Sequence, residues 1–130
     1  MLEVGLRSYL LEQSAICGVI GDRIHPIPAP EDLSKYPCVT FKEISHLGSY
    51  TNDGPTGWNQ QRLLYQCRAA SWLQARQLRD LLKAALEAFS GQLSEGTSVF
   101  LIEVENADQF YDSDMRMHCS GLYVLVQYGE

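Results

Sequence analysis

The chain has 130 residues, a formal net charge of −6, and is 45% hydrophobic and 20% charged. That balance excludes a disordered chain, fits one ordinary domain spanning residues 1–130, and argues against gripping nucleic acid by neutralising phosphates. No apolar run reaches the roughly 18 residues of a membrane span, and Met1 to Arg7 lacks the basic-then-apolar order of a signal peptide, so an intracellular protein with no membrane contact is expected.

Leu2, Leu6, Tyr9, Leu10 and Gln13 recur at helical spacing and predict an amphipathic first helix. Ser14 is placed to cap a short second helical turn through Ala15, Ile16, Cys17, Val19 and Ile20, which Gly21 ends. Pro26, Pro28 and Pro30 then exclude a helix and a central strand, leaving an extended edge segment or an ordered loop.

Pro37 to His46 has strand composition, and Gln60 to Ala70 alternates, with Leu63, Tyr65, Cys67 and Ala69 on one face. Between them, Ser49 to Trp58 is dominated by Gly, Pro, Asn, Asp, Ser and Thr. Gly54 and Gly57 can take positive φ, Pro55 fixes φ, and Asn52 and Asp53 can bond their own backbone. The expectation is a hairpin with a long, ordered loop that carries almost no catalytic equipment.

Ser71 and Gln74 read as a capping box. Trp72, Ala75, Leu78, Leu81, Leu82, Ala85, Leu86 and Phe89 then form an apolar stripe, and Gly91 is the expected stop. Two strands follow, Ser98 to Asn106 and Met117 to Tyr128, with an acidic turn from Ala107 to Asp114. The order predicts an α+β fold, a two-layer arrangement in which two principal helices pack on one face of a mainly antiparallel β-sheet.

Signs of chemistry are weak. Glu103 and Glu105 read as a solvent-exposed face opposite Phe100, Ile102 and Val104, and Asp108, Asp112 and Asp114 as a solvated turn without a complete calcium loop. Cys17, Cys38, Cys67 and Cys119 lack metal or redox spacing and read as reduced core thiols, with Cys67 inert on the apolar face of its strand. His118 and Cys119, adjacent in a strand, point to opposite faces and make a poor metal pair. The residues thus offer no catalytic set and no metal or cofactor motif. Tyr36, Tyr50 and Trp58 lie in or beside loops, where aromatics serve either as interface anchors or by folding back on their own loop.

Gly21-Asp22-Arg23-Ile24-His25-Pro26, Tyr50-Thr51 followed by Asp53-Gly54-Pro55-Thr56-Gly57, Gln66-Cys67, and the helix with Ala75-Arg76 and Leu78 together resemble the tail completion proteins of long-tailed bacteriophages and prophages, also called tail terminator or tail-to-head joining proteins. The resemblance runs from about residue 2 to 128. Arg68 departs from it, standing where an aromatic residue is expected. It implies a virion subunit that is not an enzyme and needs no cofactor, assembled in the host cytoplasm, that forms a homo-oligomeric ring, usually a hexamer, at the head-proximal end of the tail. Such a ring binds the tail tube protein, stops its polymerisation and meets the head–tail connector or neck protein, with DNA only as passing cargo. The candidate interface residues are Tyr36, Tyr50, Asp53, Gly54, Pro55, Thr56, Gly57 and Trp58. The alternatives are another neck or connector protein of the same virion, or a small-molecule-binding or catalytic α+β domain.

Overall fold

The computed structural model describes residues 2–28, 36–51, 54–93 and 96–129, with only the backbone of 49–51 and 54–56. Leu2, Gly5, Leu6 and Leu10 make the buried side of α1 (Leu2–Leu11), as the 3.6-residue period requires. The expected helical turn is a second helix, α2 (Ser14–Ile20), which buries Ile16 and Ile20. Gln13, not Ser14, occupies its N-cap, in an extended conformation and without a side-chain cap bond. Gly21 ends α2 at φ +62°, its N–H bonded to the Cys17 carbonyl.

Two arginines then tie the chain reversal down. Arg7 Nε donates to the Ile24 carbonyl at 2.7 Å and its Nη2 to that of Asp22 at 3.0 Å. Arg23 Nε donates to the Pro37 carbonyl at 2.9 Å and its Nη2 to that of Val19 at 3.3 Å. The stretch Gly21 to Pro26 is thus a joint, and its extended part is an edge strand, β1 (Ile24–Pro26), lying parallel to β2 (Cys38–Thr51).

β2 pairs antiparallel with β3 (Gly54–Ala69), and β3 with the last strand, β6 (Met117–Gly129). β6 pairs with β5 (Ser98–Asp112), which carries the two-residue β4 (Gly91–Gln92) on its far side. The order β1-β2-β3-β6-β5-β4 makes a mixed sheet, antiparallel except at β1–β2. α3 (Trp72–Glu87) contacts β6, β3 and β5, and packs against α1 and α2. The fold is α+β, with three helices where two principal ones were expected.

α3 follows its sequence pattern closely. Ser71 Oγ accepts from the Gln74 N–H at 3.1 Å, and Ala75, Leu78, Leu82 and Leu86 are buried. The three leucines meet Leu63, Tyr65 and Cys67 of β3 and Leu122, Val124, Val126 and Tyr128 of β6 in one core, with Leu2, Leu6 and Leu10. Burying those three leucines of α3 is worth on the order of 5–9 kcal/mol before entropy. Tyr9 ties α1 to α3 by donating to the Ala85 carbonyl at 2.7 Å, its ring 4.3 Å from that of Phe89.

Several expectations are corrected. Trp72, at the first turn of α3, is 50% exposed because it lies before the stripe reaches the core. α3 ends at Glu87, short of Gly91. That glycine instead uses φ +126° to enter β4, which brings Leu93 back over Gly5. Residues 107–112 continue β5, so the acidic turn is confined to the link into Met117. Register irregularities between Val99 and Leu101 and between Val104 and Asn106 break the two-residue period, leaving Phe100 exposed beside Leu101. Cys17 is exposed; the other three cysteines are buried, and all four are free thiols.

Candidate assembly interface

The segment read from its turn residues as a long loop is mostly strand. β2 and β3 continue beyond the last pairing of β3 with β6, Trp58 opposite Gly129, and their ladder reaches Tyr50 opposite Pro55 and Thr51 opposite Gly54. Between the pairs Gly48–Asn59 and Tyr50–Pro55, β3 has Thr56, Gly57 and Trp58 where β2 has only Ser49. Gly57 absorbs that excess at φ +78°, a conformation costly for a residue with a Cβ. The result is a two-stranded ribbon standing past the end of the sheet. Asp53 lies outside the described residues, as do the side chains of Tyr50, Pro55 and Thr56.

A chain of polar side chains braces the root of the ribbon. Asn59 Nδ2 donates to the Gly57 carbonyl at 3.1 Å, and Asn59 Oδ1 lies 3.0 Å from His46 Nε2. Because an amide oxygen only accepts, the proton sits on Nε2. Tyr128 Oη, 3.3 Å from the same nitrogen, donates to Gln61 Oε1 at 3.0 Å, and Gln61 Nε2 donates to Glu43 Oε2 at 3.0 Å. Gln61 and Tyr128 are buried, so this network links the core directly to the backbone of Gly57.

On the other face of the sheet the ring of Trp58 stacks on that of Phe100, 4.4 Å between centroids and 26° between planes. Gly129 packs against Phe100: a Cβ there would be 3.3 Å from Phe100 Cε2 and 3.5 Å from the Gly57 carbonyl oxygen. Trp58 remains 37% and Phe100 50% exposed, so the pair presents aromatic surface at the foot of the ribbon. Leu47, Gly48, Trp58 and Gln60 line a shallow groove of about 210 Å³ beside it. Phe100 and Leu47 were not among the residues expected here. The bulge that turns Phe100 outward has no signature in the alternation of β5.

Tyr36 is not part of this surface. It precedes Cys38, which pairs with Arg68 at the opposite end of β3 from Trp58, about 30 Å away at some 3.3 Å per strand residue. There its hydroxyl is pushed above its ordinary pKa by burial, among Cys38, Arg68, Cys119 and Asp112. Arg68 organises this end. Its guanidinium donates to Gln66 Oε1 at 2.9 Å, Cys119 Sγ at 3.3 Å and Thr40 Oγ1 at 3.4 Å, and lies 3.7 Å from Asp112. Where an aromatic was expected, a half-buried cation with a hydrogen bond from each guanidinium nitrogen covers the strand face.

The groups considered for chemistry have structural occupations. Burial pushes the Cys38 thiol up to about 11 and that of Cys67 further still, the wrong direction for a nucleophile. Glu105 forms a two-pronged ion pair with Arg62, at 2.9 and 3.4 Å, on an exposed face. Asp112 Oδ1 accepts from the N–H groups of Asp114 and Met115 in the turn. Among the described residues no three His, Cys, Asp or Glu side chains converge on a metal-sized point, and no helix is long and apolar enough to cross a membrane.

The comparisons with known proteins agree with the sequence resemblance. Residues 4–124 match the family described as "Tail completion protein gp17". No curated protein matches the sequence. Among solved structures, a chain of the "Virion of native gene transfer agent (GTA) particle" superposes with a TM-score of 0.80 at 14% identity, covering 99% of this chain and 95% of that one. At that identity the likeness is one of fold. Because the family match spans nearly the whole sequence, the chain belongs to the tail completion protein gp17 family.

Proposed function

We propose that the chain is a structural subunit of a phage-like tail that assembles into a ring, a hexamer, at the head-proximal end. There it caps the last ring of tube protein and offers a joining surface to the connector. The observation that carries this reading is the ribbon of residues 48–51 and 54–59, projecting past the sheet and tied to the core at its root, in a member of the tail completion family. A braced projection suits contact with another subunit, because little conformational entropy remains to be lost on binding. A cap that engages the tube end and presents no second polymerising face ends growth. The excess of acidic residues suits a lumen that does not retain passing DNA. Assembly in the host cytoplasm follows from this role.

Native mass spectrometry of the purified protein at high concentration, with and without tube protein, tests the reading. Closed rings, and tubes whose length is limited when the chain is added, are expected; a monomer under both conditions refutes it. In a phage genome, deleting the gene should leave overlong or unjoined tails. Replacing Gly54 and Gly57 together by valine should abolish assembly with helical circular dichroism retained.

A further inference from the structure

The two sides of the sheet are capped only in part. β1 covers β2 at Val39–Phe41, and β4 covers β5 at Ser98 and Val99. Beyond these caps each edge has a regular four-residue window closed at both ends by a bulge. On β2 it is Ser45–Gly48, between the irregularities at Glu43/Ser45 and Gly48/Tyr50. On β5 it is Leu101–Val104, between those at Val99/Leu101 and Val104/Asn106. Among the described residues no strand pairs with the outer side of either window.

The windows correspond across the sheet. Leu47 is opposite Gln60, Gln60 opposite Gln127 and Gln127 opposite Leu101, so the two leucines share one transverse row. Ser45, Arg62, Leu125 and Glu103 form the next row but one. Leu47 and Leu101 lie on the face that carries Arg62, Trp58 and Gln60, and are 66% and 44% exposed. Strand direction alternates from β2 to β5 across four strands. A second copy related by rotation about an axis along the strands therefore brings its β2 antiparallel to β5 of the first.

We propose that these windows are the two halves of one heterologous interface: Leu101–Glu103 of one subunit adds antiparallel to Ser45–Leu47 of the next, with Leu101 and Leu47 meeting across the joint. This rests on the ring reading above and names the surfaces that close it. Edge addition supplies directional backbone hydrogen bonds, and the exposed leucines supply apolar contact. The flanking bulges confine the pairing to a single short register. An edge so limited joins its own copy without templating open-ended aggregation.

Cysteine cross-linking tests the pairing, since Cα atoms opposite each other on neighbouring strands fall within disulfide reach. In a Cys17→Ser background, Leu47→Cys with Leu101→Cys should give a disulfide-linked ladder up to the ring under mild oxidation. Leu47→Cys with Phe110→Cys, which lies near the other end of β5, should not. As a second measurement, Leu47→Glu with Leu101→Glu should abolish the ring with circular dichroism unchanged, and Leu47→Lys with Leu101→Glu should retain it. Rings seen by native mass spectrometry without the ladder, or with equal cross-linking in the control, overturn this interface and leave the ring standing. A monomer throughout, in the presence of tube protein as well, overturns both.

Discussion

Gly121 of β6 and Asp108 of β5 are directly opposite each other, and they make the sharpest energetic test of the sheet. A Cβ built on Gly121 falls onto Asp108 Oδ1 and lies 3.5 Å from Leu64 Cδ1. Among the described residues Oδ1 is buried without a hydrogen-bond partner, and Oδ2 accepts from Tyr123 Oη at 3.0 Å. Gly121→Ala must therefore swing the carboxylate aside and break the Tyr123 bond, a loss of about 1.5–3 kcal/mol for a hydrogen bond to a charged group. Against this, alanine in a strand interior is favoured over glycine by roughly 0.5–1 kcal/mol. The single substitution should destabilise by about 1–2 kcal/mol. In an Asp108→Ala background the slot is free, and the same change should stabilise by roughly 0.5–1 kcal/mol. The sign reverses, with a coupling of about 2 kcal/mol, readable in urea midpoints at constant m-value. If Gly121→Ala costs the same in both backgrounds, or stabilises the wild type, the carboxylate does not occupy that slot.

Three further outcomes are expected. Ser71→Ala should lower stability by about 1 kcal/mol through the lost N-cap bond to Gln74, measured by urea unfolding. Arg23→Met, which removes the bonds to the Pro37 and Val19 carbonyls, should cost about 2–3 kcal/mol and speed amide exchange at Val39; an unchanged midpoint would show that the joint does not depend on the guanidinium. Stability should fall in alkali. Burial raises the Cys38 thiol from 9.0 to about 11, so the unfolded chain releases its proton first; the contribution is complete below pH 9 and disappears as pH rises through about 11. Tyr65 and Cys67 are shifted the same way by burial, and Tyr123 by its bond to Asp108. Unfolding midpoints between pH 8 and 11 should decline, less steeply in Cys38→Ala; a flat profile would contradict the burial of these groups.

α3 was legible because cap, period and burial all act within one turn or two of the sequence. The inner halves of the hairpins were legible for a similar reason: Leu63, Tyr65 and Cys67 alternate without interruption and face the core. The outer halves were not. Pro55, Gly57 and the residues around Asp112 carry turn propensity, yet they sit in strands because a partner strand supplies the hydrogen bonds and bulges absorb the misfit. Each bulge also reverses which face the next side chain takes. Phe100 therefore reads as core beside Ile102 but lies outside, where it finds Trp58. Gly91 reads as a helix stop because positive φ serves either purpose; only Leu93 docking on Gly5 selects the strand. As for the candidate interface, the glycines of the ribbon could be located from their residue types. The separation of Tyr36 from Tyr50 follows from the length of β2, which runs from just beyond Tyr36 to Thr51 and was not legible past His46.

The two hairpins point in opposite directions: the β2–β3 ladder closes at Thr51 and Gly54 beyond one end of the sheet, and the β5–β6 ladder at Asp112 and Met117 at the other. Between them β3 and β6 run side by side from Trp58–Gly129 to Ala69–His118. A pull between the two tips therefore acts along the strands and loads that ladder in shear, with its hydrogen bonds bearing the force together. A pull across the sheet would instead peel the same bonds apart in sequence. The molecule is accordingly strong along its length and weak across its width, a mechanical anisotropy that force spectroscopy along the two directions would measure.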